Sequence, residues 1–321
     1  MHVHTLGPIG IWGVSFARDL GLPLVQTYWT DLHRYADAYR IPDWALLAAA
    51  KLIATRLGKS LPTSRAGRAQ LVSTMCSMIL DESDVVVSPT QAAILRNGFA
   101  PSKHVEYIAA PSDLSSTAPA VTQREGFRRR WRIDDDARVV LFVGRLHSEK
   151  STSFLLTAFG LLLRRLPSAR LVLVGTPVRR AKLALQIERA GVLRQTICTG
   201  NLNGRELEAA YSASDVFAFP STTETQGLVL HEAALARLPT VIRDSLLHSC
   251  HPLGEGLLLT EESHVEFSDG ILRLLTQPGL SAQLVSRSHR KATAQNLPAY
   301  GLAMLNAYQK AVEIHPPGAC R

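Results

Sequence analysis

The sequence predicts an α/β protein made of two doubly wound parallel-sheet domains, and three observations carry that expectation. Its 321 residues suffice for two cores of ordinary domain size. From Val139 to Ile242, short apolar runs alternate with amphipathic runs of helical length. That is the pattern of a parallel sheet with helices on both faces. A Ser-, Thr-, Ala- and Pro-rich stretch, Pro111–Thr122, precedes this half and reads as an interdomain linker.

Composition is that of a globular protein, 46% hydrophobic and 19% charged. The net charge of +8 suggests an anionic ligand or surface without choosing among nucleotide, nucleic acid and membrane. Cys76, Cys198, Cys250 and Cys320 show no metal-ligand spacing and read as thiols of a reducing compartment. The start lacks a charged region followed by an apolar core, and every apolar stretch is too short to span a bilayer. The expected location is cytoplasmic.

In the first half, Met1–Thr5 looks like the tail of a strand, Gly7–Gly10 is a loop, and Ile11–Leu20 is a helix. That helix carries Ile11, Val14, Phe16 and Leu20 on or near one face and stops at Gly21. Leu22–Tyr28 is the next strand, whose Trp29–Asp31 end faces a cleft, as strand ends do in doubly wound sheets. His2 and His4 share one face of their strand and read as cleft-lining or packed side chains, since too few further ligands exist for a metal. From Pro42 to Leu80 two helices flank a break at Gly58–Pro62. Asp43 and Asp81 bracket this stretch; inside it there is no acid, but there are Lys51, Arg56, Lys59, Arg65 and Arg68. Residues 45–80 form either a basic, apolar surface for anionic lipid or two ordinary helices with solvated basic faces. The first carries roughly 1 kcal/mol per basic residue near such a surface. Asp84–Ser88 and His104–Ala109 are strands, and Thr90–Gly98 is a short helix.

In the second half the strands are Val139–Val143, Arg170–Val174, Thr196–Thr199, Val216–Phe219 and Pro239–Ile242. Helices occupy Thr152–Leu166, Arg180–Ala190, Arg205–Ala213, a segment opening at Gly227, Ser281–Ala292 and Pro298–Glu313. Arg128, Arg129, Arg130 and Arg132 surround Trp131 and read as a solvated helix face.

The chemistry concentrates after two of these strands. Gly144 lets the backbone approach a ligand closely, and Arg145 and Lys150 flank its turn, a fork and a point charge for a diphosphate. In Phe219–Ala234, FPSTTETQGLVLHEAA, the helix after Gly227 buries Leu228, Val229 and Leu230. Glu224 and Glu232 stand around its start with seven residues between them. Helix amides attract phosphate, while carboxylates accept from paired hydroxyls. The alternative is a capped surface helix, with Thr223 and Gln226 in a capping box.

Five stretches, VGRLHSEK (Val143–Lys150), LVLVG (Leu171–Gly175), CTG (Cys198–Gly200), ASDVFAFPS (Ala213–Ser221) and ETQGLVLHEA (Glu224–Ala233), together resemble the family-4 retaining glycosyltransferases of GT-B architecture. The TETQGL wording looks like the diacylglycerol and related lipid glucosyltransferases. HVHTLGPIG, LVQTYWTD and VVVSPTQ resemble the amino domain more loosely. The resemblance implies two Rossmann-like domains, the first incomplete. Residues 1–122 would be the acceptor-side domain, 123–297 the nucleotide-sugar domain, and 298–321 a helix crossing back.

The implied reaction moves a hexose from a UDP- or GDP-hexose to a lipid or glycan, with retention. Arg145 and Lys150 would neutralise the leaving diphosphate, and Glu224 would accept from sugar hydroxyls. Gly144, Thr225, Gln226, Gly227 and Leu228 would contact the donor, Glu232 would hold the ribose diol, and the Cys198–Gly200 turn would lie against the base. His4 and Thr30 are the acceptor-side candidates. No cofactor, metal or nucleic-acid partner is implied, and residues 45–80 would touch the inner membrane face peripherally.

The chain departs from the family pattern in five places. HVHT begins at residue 2, ahead of which the family has further βα units that a partner chain could supply. Trp29 stands where a histidine is usual. Ala109–Asp113 and Gly175–Pro177 differ from the common wording, and Arg237 replaces a glycine. The alternative is therefore a non-catalytic or split-subunit relative that binds the nucleotide-sugar alone; a sugar-nucleotide epimerase is a third reading.

Overall fold

A computed structural model describes residues 1–29, 31–38, 40–61, 67–96, 104–114 and 121–316. The chain divides into two compact units, Met1–Ala110 with Leu297–Arg321, and Pro111–Asn296.

The first unit is built on four parallel strands, β1 (His2–Val3), β2 (Val25–Thr27), β3 (Val85–Ser88) and β4 (His104–Tyr107), adjacent in chain order. Every residue of β3 is buried, as expected of a parallel strand covered on both faces. Because side chains alternate along a strand, Val86 faces one core with Leu24, while Val85 and Val87 face another. The first core is completed by helices Pro8–Asp19, Asp43–Leu57 and Arg68–Leu80. The second is completed by Met304, Ala307 and Ala311 of the last helix, Leu297–Ile314.

Several local expectations change. The first helix starts at Pro8, whose fixed φ and missing N–H suit a first turn. Its buried residues are Gly10, Val14, Ser15 and Ala17; Phe16 and Leu20 are exposed. Gly58, at φ 63°, ends helix Asp43–Leu57, and residues 62–66 lie outside the described ones. The basic stretch is partly neutralised within the unit. Lys59 pairs with Glu82 at 2.7 Å, and Arg68 pairs with Asp43 at 2.7 Å and Asp37 at 3.1 Å. Lys51 and Arg56 remain exposed, and Arg65 lies outside the described residues.

The second unit holds six parallel strands: β5 (Val139–Val143), β6 (Arg170–Val174), β7 (Thr196–Gly200), β8 (Val216–Phe219), β9 (Thr240–Ile242) and β10 (Leu258–Leu259). Their spatial order is β10-β9-β8-β5-β6-β7. Numbered within the unit this is 3-2-1-4-5-6, the doubly wound order, which reverses between β5 and β8. One face packs Val140, Phe142, Leu171, Leu173 and Ala218 against helices Thr152–Leu163 and His264–Thr276. On the other face Phe217 meets Tyr211 of helix Arg205–Ala213, ring centroids 5.8 Å apart. The stretch expected as a linker is held by this unit: the Ser112 N–H donates to His231 Nδ1 at 3.2 Å. Residues 115–120 of that stretch lie outside the described ones.

Of the basic knot, Arg129, Arg130 and Arg132 are exposed as expected, but Arg128 is not. Arg128 is 4% exposed. Its guanidinium donates to the carbonyls of Ala213, Asp134, Asp135 and Ala137 and to Asp215 Oδ2 at 3.1 Å. Asp215 also accepts from the Val139 amide at 2.8 Å, so this cluster fastens β5, β8 and helix Val121–Arg130 together. Arg128→Ala removes the shared donor of four carbonyls and leaves Asp215 with Arg124, at 3.0 Å, as its remaining arginine partner. It is expected to lower the unfolding free energy by about 3 kcal/mol, measured by urea titration; a loss within experimental error would contradict this role.

Candidate functional site

In a doubly wound sheet, ligands sit beyond the carboxyl ends of the strands where the order reverses. Here that place lies between the loops leaving β5 and β8. Glycines shape its floor. Gly144, Gly175 and Gly200 stand at the ends of β5, β6 and β7 with φ of 150°, 139° and 74°. A Cβ on Gly175 would lie 1.9 Å from the Gly144 carbonyl oxygen, so β5 and β6 can converge only through a bare backbone. The Gly144 amide donates to Val174 at 3.0 Å, and the Gly175 amide donates to Gly200 at 2.9 Å. Cys198–Gly200 is therefore the end of an edge strand, not a turn.

After Gly144 the chain makes a 3₁₀ turn, Ser148–Lys150, in which the Glu149 amide donates to His147 Nδ1 at 3.4 Å. This turn aims Lys150 toward β8, where its ammonium donates to Glu224 Oε1. The Thr223 hydroxyl donates to the Glu149 carbonyl at 3.2 Å and fixes the same approach. Arg145 pairs with Glu149 at 3.1 Å, and Lys150 lies 3.9 Å from that carboxylate. Two cations and two carboxylates thus form one chain of charges across the switch point. Lys150 and Glu224 are both largely shielded, whereas Arg145 reaches into solvent.

Gly227, at φ 72°, precedes helix Leu228–Leu235 without any side-chain cap, which removes the capping-box alternative. The first turn also carries no acid, so its amides face an anion without competition from their own side chains. Leu230, Ala233 and Ala234 turn into the core, whereas Leu228 is 43% exposed and Val229 is only partly buried. The expected burial of all three residues after Gly227 therefore holds for Leu230 alone. An exposed leucine beside uncapped amides leaves the helix start open at the strand ends.

Glu232 sits in the second turn and is half-buried. Oε2 accepts from the Tyr211 hydroxyl at 2.7 Å and Oε1 from Ser112 Oγ at 3.4 Å. Burial raises its pKa above the usual carboxylate range despite both donors. Burial also raises that of Tyr211, which keeps its proton. Glu232 shares no contact with Lys150, Glu224 or Arg145 among the described residues.

Three side chains that the sequence did not single out hold the site. Arg243 donates to the Pro220 carbonyl at 2.6 Å and to Ser151 Oγ at 2.9 Å, with its guanidinium 4.0 Å from the Phe154 centroid. It clamps the β5 and β8 loops from behind. His251 Nε2 donates to the Gln226 carbonyl at 2.9 Å while Nδ1 accepts from the Leu253 amide at 3.1 Å. Tyr211 fixes Glu232. A lone histidine or arginine between helices carries no sequence signal for such roles.

The acceptor-side candidates lie in the first unit. His2 and His4 do share a face, their ring centroids 3.8 Å apart. His2 contacts Thr27 Oγ1 at 2.6 Å and the Tyr308 hydroxyl at 2.9 Å, whereas His4 is exposed. Thr30 lies outside the described residues. No group of three or more His, Cys, Asp or Glu among the described residues is arranged to hold a metal ion.

A 3-2-1-4-5-6 parallel sheet with glycine-shaped strand ends and an uncapped helix at its switch point defines a Rossmann-like, doubly wound class of α/β domain. The chain belongs to the family described as "Glycosyl transferases group 1", whose model matches residues 123–291. It is 30% identical over 247 residues to a GDP-mannose-dependent alpha-mannosyltransferase of Mycobacterium tuberculosis, covering 76% of this chain and 55% of that protein. It is 25% identical over 243 residues to the alpha-monoglucosyldiacylglycerol synthase of Acholeplasma laidlawii, covering 76% and 58%. The chain thus spans somewhat over half the length of these relatives. Its fold is that of the GT-B glycosyltransferases. Sucrose-phosphate synthase from Thermosynechococcus elongatus superposes with a TM-score of 0.71 at 20% identity, over 97% of this chain and 73% of that one. Anabaena HepE, solved with UDP and glucose, superposes with a TM-score of 0.66 at 15% identity, over 96% and 99%.

Burial lowers the His251 pKa to about 4, and that of His2 in the other unit to about 4 as well. Between pH 6.5 and 4 the unfolded chain therefore binds protons that the folded chain refuses, so stability falls across that window and levels off below it. His251→Gln keeps an amide donor for Gln226 but does not titrate. It is expected to flatten the second unit's share of this fall in thermal unfolding followed against pH; a profile identical to the parent's would contradict the buried neutral imidazole.

Proposed function

We propose that the second unit binds a UDP- or GDP-hexose and that the protein acts as a retaining family-4 hexosyltransferase toward a lipid or glycan acceptor. The observation that carries this reading is the meeting of Lys150, from the β5 loop, with Glu224, from the β8 loop, in front of the uncapped helix at Gly227. A donor entering there supplies both partners at once. Its diphosphate takes the Lys150 ammonium, and the freed Glu224 accepts from sugar hydroxyls. Arg145 exchanges Glu149 for a phosphate oxygen, and the amides of Gly227 and Leu228, with Thr225 and Gln226 beside them, face the sugar and phosphate. Gly144 and Gly200 leave backbone open to the nucleotide. Glu232, oriented by Tyr211, accepts from the ribose diol.

As the glycosidic bond to the donor breaks, negative charge grows on the departing diphosphate. Fixed cations and helix amides stabilise it without reorganising, an effect worth about 3 kcal/mol per well-placed donor. In this reading a metal ion is not required. The acceptor hydroxyl attacks the face that the diphosphate vacates, which retains the anomeric configuration.

The relatives named for GDP-mannose-dependent transfer and for glucosyldiacylglycerol synthesis support the donor and acceptor classes. A lipid acceptor would place the protein peripherally at a membrane surface. No helix among the described residues is long and apolar enough to cross one. Trp29, in place of a hydrogen-bonding histidine, favours a second reading in which the nucleotide-sugar is bound and not transferred.

Calorimetry with UDP and GDP, paired with a transfer assay, tests both readings. Lys150→Ala is expected to reduce transfer by about 100-fold or more, Glu232→Ala to weaken nucleotide binding about tenfold, and Glu224→Ala to reduce transfer with little loss of nucleotide affinity. Nucleotide binding without transfer by the parent would select the second reading. Absence of nucleotide binding would remove both.

A further inference from the structure

The first unit contains an apolar cavity of about 320 Å³, within the size range of small-molecule sites, about 300–1,000 Å³. Leu6 and Pro8, which follow β1, and Leu32 and Ala36, which follow β2, line it together with Ala49 and Ile53 of helix Asp43–Leu57. It therefore lies beyond the carboxyl ends of parallel strands, where such sheets present their ligand sites.

Arg56 is the one charged side chain among the described residues of the lining. It makes no ion pair with a described carboxylate; its guanidinium lies 4.4 Å from the centroid of Trp12, at the cavity mouth. Of the lining, Trp12 and Leu52 are each more than half exposed, as are Ile9 and Trp44, chain neighbours of the lining residues Pro8 and Ala45, and Lys51 stands on the same helix as Arg56. A sugar or peptide would lose its hydrogen bonds to water inside such a lining and find almost none in return. A hydrocarbon chain loses nothing there, and an anionic head group on it would meet Arg56.

We infer that this cavity takes a hydrocarbon chain of an anionic lipid, with Arg56 at the head-group phosphate. The inference deepens the proposed function, on which it rests, by assigning the lipid acceptor a chain-binding site in the first unit. Apolar chain and basic rim act together: the cavity sets affinity by chain burial, at a free energy proportional to the area removed from water, and Arg56 selects the head-group charge.

Dodecyl phosphate below its aggregation threshold, titrated calorimetrically into the full chain, is the test. The parent is expected to bind it saturably and to give no comparable signal with inorganic phosphate. Arg56→Gln is expected to weaken binding about tenfold, and Ala49→Phe, which fills the cavity, by at least that factor. Should circular dichroism show that Ala49→Phe does not fold, a bromine-tagged dodecyl phosphate supplies the second readout in the parent. It is expected to quench Trp12 emission, and Trp12→Phe to lose that quenching. No saturable binding, equal affinity for inorganic phosphate, parent-like affinity in a folded Ala49→Phe, or quenching unchanged in Trp12→Phe would overturn the assignment. UDP and GDP affinities, measured on the same samples, are expected to be the same in parent and Ala49→Phe. Absence of nucleotide binding by a parent that binds dodecyl phosphate saturably would reject the donor reading and leave the cavity standing.

Discussion

The reversal of strand order between β5 and β8 is the constraint on which the candidate site depends. Hydrogen bonding pairs Val140 with Val216 and Leu141 with Phe217 although they lie far apart in the chain. That pairing sets the β5 loop beside the β8 loop, and Lys150 beside Glu224. The first four residues of β5 and all of β8 are buried, so a slip of one residue would exchange the side chains packed on the two covered faces. The Arg128–Asp215 cluster reinforces it at the opposite end of the same two strands, where Asp215 accepts from the Val139 amide. A polar cluster at one end of the sheet thus helps set the geometry of a charged site at the other.

Electrostatics then decides what the site can hold. Two shielded opposite charges satisfy each other in the protein as described, and removing either would leave the other poorly solvated. A ligand with both an anionic and a hydroxyl-rich part can replace both interactions together, which neither a bare phosphate nor a neutral sugar can do. Arg243 and His251 matter because they tie down the backbone on either side. One clamps Pro220 against Ser151, and the other holds the Gln226 carbonyl just before Gly227. Both act through hydrogen bonds made within the protein, from a buried imidazole and a partly buried guanidinium, so the loops are positioned before any ligand arrives.

Much of the second unit was legible in sequence because its signals are local. Apolar runs of strand length, glycines at strand ends and a carboxylate-bearing helix start each lie within a dozen residues. What escaped was set by long-range partners. Arg128 looks like its neighbours Arg129 and Arg130 in sequence, and only Asp215, 87 residues on, makes it a buried staple. Ser112 reads as linker, yet it bonds His231 and Glu232 across about 120 residues. Leu228 was expected inside because it is apolar, but a helix start left open at the strand ends exposes it. Two-residue strands such as β10 are too short for periodicity to register. The basic face of residues 45–80 likewise overstated its free charge, since Lys59 and Arg68 find carboxylates outside that stretch or at its edge.

The direct measurement of the central claim is a double-mutant cycle between Lys150 and Glu224, read on stability with and without a saturating nucleoside diphosphate. Without nucleotide the account predicts a coupling of about 1–3 kcal/mol, as for contacting partners in a shielded ion pair. With nucleotide it predicts that the coupling falls toward zero, because the diphosphate has taken the ammonium. No coupling in the free protein, or a coupling untouched by nucleotide, would contradict a donor site at the switch point.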